Sequence, residues 1–154
     1  MEMKPEARLR ELGISLPGLP EPLGSYVPFV RTASLIFVSG MLPFVNGKIH
    51  PCGRVGEKVT LLEAEHAART AAINGLAVLK SAVGSLDQVR RCVKITGYVA
   101  SAHDFTDQPK VINGASDLLF TVFGDAGRHA RAAVGVNVLP MDSPVEIEFV
   151  FEIF

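Results

Sequence analysis

The chain has 154 residues, with 15 Lys and Arg against 16 Asp and Glu and a formal net charge of −1; that length suits one domain able to bury roughly 70% of its unfolded surface. No block of like charge stands out, so neither nucleic acid nor an acidic membrane is the expected partner. Two cysteines, Cys52 and Cys92, without CxxC spacing exclude a disulfide framework or a zinc site, and no apolar run nears the roughly 20 residues that span a bilayer. Apolar residues make up 48% and mean hydropathy is +0.30, a surplus that goes either to a generous core or to a subunit interface. Residues 1–10 are charged and lack the apolar stretch of a signal peptide, so a reducing cytoplasm is the expected compartment.

Residues 5–12 (PEARLREL) predict a short helix closed by Gly13. Pro17, Pro20 and Pro22 then make an extended connector. Residues 26–31 and 35–39 predict two strands turned at Thr32-Ala33-Ser34, with Pro28 confining the first to a sheet edge. Residues 41–58 form a loop excursion with one tight turn at Asn46-Gly47. Thr60-Leu61-Leu62-Glu63 is a capping box that opens a long helix. Its apolar stripe is Leu61, Ala64, Ala68, Ala72, Leu76, Leu79 and Val83, and Gly84 ends it. A strand follows at 93–99. A second helix covers 108–123, with Asp107 as its N-cap residue and Pro109 in its first turn. The chain closes on strands at 130–138 and 145–153. Helices separated by strands argue a two-layer α/β domain.

Side chains alternate across a strand. In the last strand Val145, Ile147, Phe149, Phe151 and Ile153 form the face expected against the helices, with Glu146, Glu148 and Glu152 opposite. In the strand before it, Ala130, Ala132, Val134, Val136 and Val138 are expected on the helix side, which leaves Arg131, Ala133, Gly135 and Asn137 on the other. An Arg among small residues has room for an anion, and its planar fork suits a carboxylate. Glu146 is a candidate general base on the same face as Arg131. A hairpin turning near Met141 and Asp142 would separate Arg131 and Glu146 by about five positions, on the order of 17 Å. On that register they meet one small ligand only if another subunit supplies one of them.

The stretch 112–140, INGASDLLFTVFGDAGRHARAAVGVNVLP, resembles the YjgF/Rid family. The terminal VEIE at 145–148, Gly24-Ser25-Tyr26 and Phe37-Val38-Ser39-Gly40 resemble further motifs of that family, in the expected order. The resemblance implies a chorismate-mutase-like α+β fold for residues 24–154, a mixed sheet with two helices on one face, behind an N-terminal helix and connector at 1–23. It implies a homotrimer whose sheets form a barrel with clefts between subunits. It implies hydrolysis of reactive enamines and imines such as 2-aminoacrylate to 2-keto acids and ammonia, without metal or cofactor. By position, Arg131 is similar to the arginine that holds the substrate carboxylate and Glu146 to the carboxylate that orients water. Tyr26, Ser39, Gly40, Asn113 and Ala133 are similar to other pocket positions.

This sequence also departs from the family pattern. Ala133 stands where members often carry Cys, Ser25 replaces a proline, and the 43–58 loop is long. The pattern around Asn113 and Arg131 resembles a divergent branch, so the fold transfers better than the substrate. Two other readings stand beside the deaminase: a trimer that only binds small carboxylates, and the ribonuclease activity assigned to some relatives, which the neutral charge disfavours. His129 shares a face with Arg131 by alternation, and a structural role is expected for it at the strand start. Asn113 lies inside a helix, where Asn is a poor former, and reads equally as a hydrogen-bonding or an exposed position. Ser116 and Asp117 are expected to make local helix hydrogen bonds. His50, His66 and His103 show no metal spacing.

Overall fold

In the computed structural model, residues 3–19 and 21–154 are described, so Pro20 of the connector lies outside them, as do Met1 and Glu2. A five-stranded mixed sheet carries the helices on one face. The elements are α1 (Pro5–Glu11), β1 (Phe29–Thr32), β2 (Leu35–Met41), α2 (Leu61–Val83), β3 (Val89–Ala100), α3 (Gln108–Phe123), β4 (Ala130–Val136) and β5 (Val145–Ile153). Strand order is β1-β2-β5-β3-β4; β3 and β4 are parallel and the other neighbours antiparallel. The β3–α3–β4 stretch is therefore a crossover unit, which is what a parallel pair requires.

Local chemistry explains most boundaries. The Thr60 hydroxyl accepts from the Glu63 N–H at 3.2 Å, and the Glu63 carboxylate accepts from the Thr60 N–H at 2.8 Å, the capping box that starts α2. Asn46 (φ 51°) and Gly47 (φ 76°) make the predicted tight turn, bridged between Val45 and Lys48. Asp107 sits at the N-cap of α3 but caps nothing; its carboxylate pairs instead with Lys110 at 3.3 Å.

The core lies between the helices and one sheet face. Val145, Ile147, Phe149, Phe151 and Ile153 of β5 are all buried there, as the alternation predicts. The layers approach closely because glycines stand at the crossings. A Cβ on Gly75 of α2 would fall 2.7 Å from the Phe149 ring of β5, and one on Gly114 of α3 would enter the Glu65 carbonyl of α2. Leu9 of α1 is buried in the same core. Glu6 ties α1 to α2 through Lys80 at 2.9 Å and accepts from the Leu86 N–H at 3.0 Å.

Four expectations are corrected. The last two strands are not a hairpin: β3 lies between β4 and β5. The chain crosses over β3 through a turn at Pro140–Asp142, where Met141 and Asp142 take positive φ. The faces of β4 are reversed. Arg131, Ala133 and Gly135 pair in register with Ile95, Gly97 and Val99, whose side follows the buried face of β5, and so they look toward α3. Ala130, Ala132, Val134 and Val136 look the other way. Tyr26 is not in a strand, because β1 begins only at Phe29, after Pro28. Cys92 lies inside β3, fully buried, rather than before it.

Candidate functional site

Two clusters hold the residues singled out above, and they lie apart. The first is built where α3 approaches β4. Arg131 leaves the edge strand toward the helix, and its Nη1 donates to Asn113 Oδ1 at 2.8 Å and to Ser116 Oγ at 3.2 Å. Asn113 and Ser116 are three residues apart on α3, hence on one face. No carboxylate among the described residues pairs with Arg131. A guanidinium carries five N–H donors in a fixed fork. With Nη1 engaged, Nε–H and the Nη2 hydrogens have no partner among the described residues and suit the two oxygens of a carboxylate. Arg131 is exposed in the single chain. Ala133, two residues along on the same face, packs against the core.

His129 extends this cluster. Its ring is half-buried, with Nδ1 2.6 Å from the Gly127 carbonyl oxygen and Nε2 2.9 Å from Ser116 Oγ. A carbonyl only accepts, so Nδ1 carries the hydrogen. In the neutral ring Nε2 is then an acceptor, and the Ser116 hydroxyl donates to it. Burial, and after it the nearby Arg131 charge, hold the imidazole below its usual pKa, against the opposing pull of the Gly127 bond. Sequence spacing carried no sign of the Ser116–His129 contact, since the two are 13 residues apart. Only the alternation placing His129 with Arg131 pointed toward it.

The second cluster lies on the open face of the sheet, at the β2–β5 end, in a cleft of about 570 Å³. Tyr26, Ser39, Gly40 and Glu146 all line it, with Pro22 and Leu23 of the connector and Pro140 of the crossover turn. A bulge in β2 between Val38 and Met41 turns Ser39 and Gly40 into the cleft. Ser39 Oγ donates to the Val27 carbonyl at 2.7 Å and the Ser39 N–H donates to the Pro28 carbonyl at 2.9 Å. Those bonds tie down the segment that carries Tyr26. Tyr26 Oη accepts from the Leu23 N–H at 3.2 Å, which folds the connector over the cleft.

Glu146 is half-buried, and a Cβ on Gly40 would fall 2.9 Å from its Cδ and closer to Oε1, so only glycine leaves room for the carboxylate. Burial, assisted by the Glu148 charge, pushes the Glu146 pKa up. Glu148 accepts from Tyr98 Oη at 3.3 Å. A carboxyl with a raised pKa beside an open cleft is suited to proton transfer.

Arg131 and Glu146 therefore do not meet within one chain. They lie on opposite sheet faces, two strands and three residues apart, on the order of 14 Å by strand spacing and rise. A larger groove of about 700 Å³ on the outer side of α2 and α3 contains His50, His66 and Asp117, yet no three His, Cys, Asp or Glu side chains among the described residues converge as a metal site. No described helix is long and apolar enough to cross a membrane.

Comparison with known proteins matches residues 6–153 to the family model described as "YjgF/chorismate_mutase-like, putative endoribonuclease". Protein TCP17 of Trypanosoma cruzi is 41% identical over 150 residues, 96% of this chain and 92% of that protein. The crystal structure of Atu1372 from Agrobacterium tumefaciens is 47% identical over 97% of this chain and 92% of its own, with a TM-score of 0.91. A Shewanella oneidensis structure described as a "putative endoribonuclease" is 34% identical, covers 98% of this chain and all of its own, and has a TM-score of 0.95.

Proposed function

Because the chain belongs to the YjgF/chorismate mutase-like family, we propose that it hydrolyses small carboxylate-bearing enamines and imines of the 2-aminoacrylate type, giving a 2-keto acid and ammonia in a cleft shared between subunits. The observation that carries this reading is Arg131: a guanidinium held through Nη1 by Asn113 and Ser116, with Nε and Nη2 unpaired among the described residues. That is an anchor awaiting a planar anion.

The chemistry asks little else. The enamine takes a proton at carbon to become an iminium, whose carbon is already electrophilic. Water adds to it, a proton leaves the water, and the carbinolamine then expels ammonia. A clamp supplies orientation. Glu146 takes the proton from water and returns it to the departing nitrogen, which its raised pKa suits. Tyr26, Ser39 and Gly40 shape the wall around Glu146; Asn113 and Ala133 hold and make room for the clamp.

Arg131 and Glu146 are too far apart in one chain, so this reading needs a homo-oligomer, and we infer a trimer with a barrel of sheets. Two features support it. The open sheet face exposes Val30 at 55%, Phe37 at 44% and Val134 at 43%, an apolar surface that calls for a cover. β4 also leaves a seven-residue edge with unpaired backbone groups. The ribonuclease suggested by the family description is the weaker reading, since a net charge of −1 offers little to neutralise phosphates.

The test is keto-acid release from 2-aminoacrylate generated in situ. Wild type accelerates release over background and Arg131→Ala abolishes the acceleration, while Arg131→Lys, which keeps charge but loses the fork, recovers only part of it. Absence of any acceleration by wild type overturns the proposal.

A further inference from the structure

We propose that Arg131, Ser116 and His129 form a proton-coupled carboxylate site, in which a carboxylate arriving on Arg131 makes His129 take up a proton and turns the Ser116 hydroxyl toward the ligand. The inference rests on the carboxylate reading of Arg131 given above. It assigns a proton to His129, which that reading does not use, and a second role to Ser116, which there only holds the guanidinium.

The geometry sets the coupling. The Ser116 hydroxyl donates its one hydrogen to His129 Nε2 and accepts from Arg131 Nη1. It has no hydrogen left for a ligand. His129 cannot turn its ring to release it, because Nδ1–H is bonded to Gly127 at 2.6 Å. Protonating Nε2 reverses the bond: the imidazolium donates to Ser116 Oγ, and the freed hydroxyl hydrogen is available to an oxygen on Arg131. Ser116 lies 3.2 Å from Nη1, and a carboxylate oxygen held by the adjacent Nη2, at that end of the guanidinium, comes within reach of its hydroxyl. A hydrogen bond from hydroxyl to carboxylate is charge-assisted and strong. Charge acts in the same direction. Arg131 opposes a positive His129, and a bound carboxylate cancels that opposition.

The surroundings leave this pair largely to itself. From α3 the facing groups are Asn113 and Ser116, both uncharged, while Asp117 faces the outer groove with His66 and Arg69. In the turn before β4, Asp125 and Arg128 pair with each other at 3.2 Å, and Arg128 lies over the Phe120 ring at 4.5 Å. On β3, Lys94 pairs in register with Ala130 and so lies on the other sheet face. Arg131 is thus the charge through which a ligand changes His129.

Titration calorimetry of the full-length protein with 2-ketobutyrate tests this, run near pH 6.5 in two buffers of different ionisation enthalpy. The expected result is a heat that depends on the buffer, corresponding to uptake of a clear fraction of a proton per site. His129→Gln, whose amide can still partner Ser116, and Ser116→Ala should both bind 2-ketobutyrate with buffer-independent heat. Tight binding with the same heat in both buffers for wild type overturns the coupling and leaves the clamp standing. Failure of wild type to bind overturns the clamp as well. A ligand-free arm uses NMR titration of His129: Arg131→Gln should raise its pKa, and an unmoved titration overturns the coupling whatever the calorimetry gives.

Discussion

Replacing Gly40 with alanine separates the cleft's chemistry from the fold. The new Cβ falls 2.9 Å from Glu146 Cδ and 3.1 Å from its Cγ. Carbon contacts are optimal at about 3.5–4.0 Å, so the carboxyl must retreat by roughly 1 Å. The obstacle is the far end of a half-exposed side chain, so the cost is an unfavourable rotamer of about 0.5–1.5 kcal/mol. Alanine in place of glycine returns about 0.5–1 kcal/mol of backbone entropy. The two nearly cancel, and global stability should stay within about 1 kcal/mol of wild type. Activity should not survive so well: a 1 Å displacement of a reacting group costs about 10²-fold. Urea denaturation with keto-acid release from 2-aminoacrylate reads both quantities on one sample. Gly114→Ala is the contrast, because its Cβ meets the Glu65 backbone, which cannot swing aside; it should cost about 3 kcal/mol or more. A Gly40→Ala protein with wild-type turnover would refute the role given to Glu146. One destabilised as much as Gly114→Ala would refute the packing argument.

The two thiols should react differently in the native protein. Cys92 is fully buried and its pKa is pushed up to about 12, mainly by burial, whereas Cys52 sits in the 43–58 loop. A thiol reagent at pH 8 should modify one cysteine, Cys52, until denaturant exposes the other; rapid native labelling of Cys92 would contradict its placement. His129 should leave its mark on pH-dependent stability. Its folded pKa lies below the ordinary imidazole value of about 6.5, so the unfolded chain binds the proton more readily. The stabilisation is present above about pH 6.5 and is lost as pH falls through the lower folded value. Thermal unfolding of wild type and His129→Gln between pH 7.5 and 5 should therefore show wild type losing ground on acidification. Parallel pH profiles would contradict this.

Much of the architecture could be read from the residues. The alternation in β5 pairs bulky apolar side chains with glutamates, so its ends and its buried face follow directly. The Thr60–Glu63 box and the Asn46-Gly47 turn carry their geometry in their chemistry. β4 offered no such contrast. Apart from Arg131 both of its alternating sets are small or apolar, and the larger Val134 and Val136 suggested burial against helices. In fact the close approach of α3 needs the smaller set, Ala133 and Gly135, on that side: a Cβ on Gly135 would sit 2.8 Å from both Gln108 Nε2 and Ser101 Oγ. The insertion of β3 between β4 and β5 was equally illegible, because no local signal records which strand fills a gap. Of the candidate site, Arg131, Asn113, Glu146 and Gly40 were singled out through the family pattern. The Ser116–His129 bond was not, since it forms only when the turn at Gly124–Gly127 brings the strand start over the helix.

In the proposed site Arg131 of one protomer works with Glu146 of another. Mixing two inactive variants, Arg131→Ala and Glu146→Gln, after dissociation and reassembly tests that pairing. In a three-fold ring with head-to-tail interfaces, random mixing leaves one intact Arg131–Glu146 pair at roughly a quarter of the interfaces. The mixture should regain about that share of wild-type activity, although neither parent has any. A mixture as inactive as its parents, from variants shown to have exchanged subunits, would contradict the shared cleft.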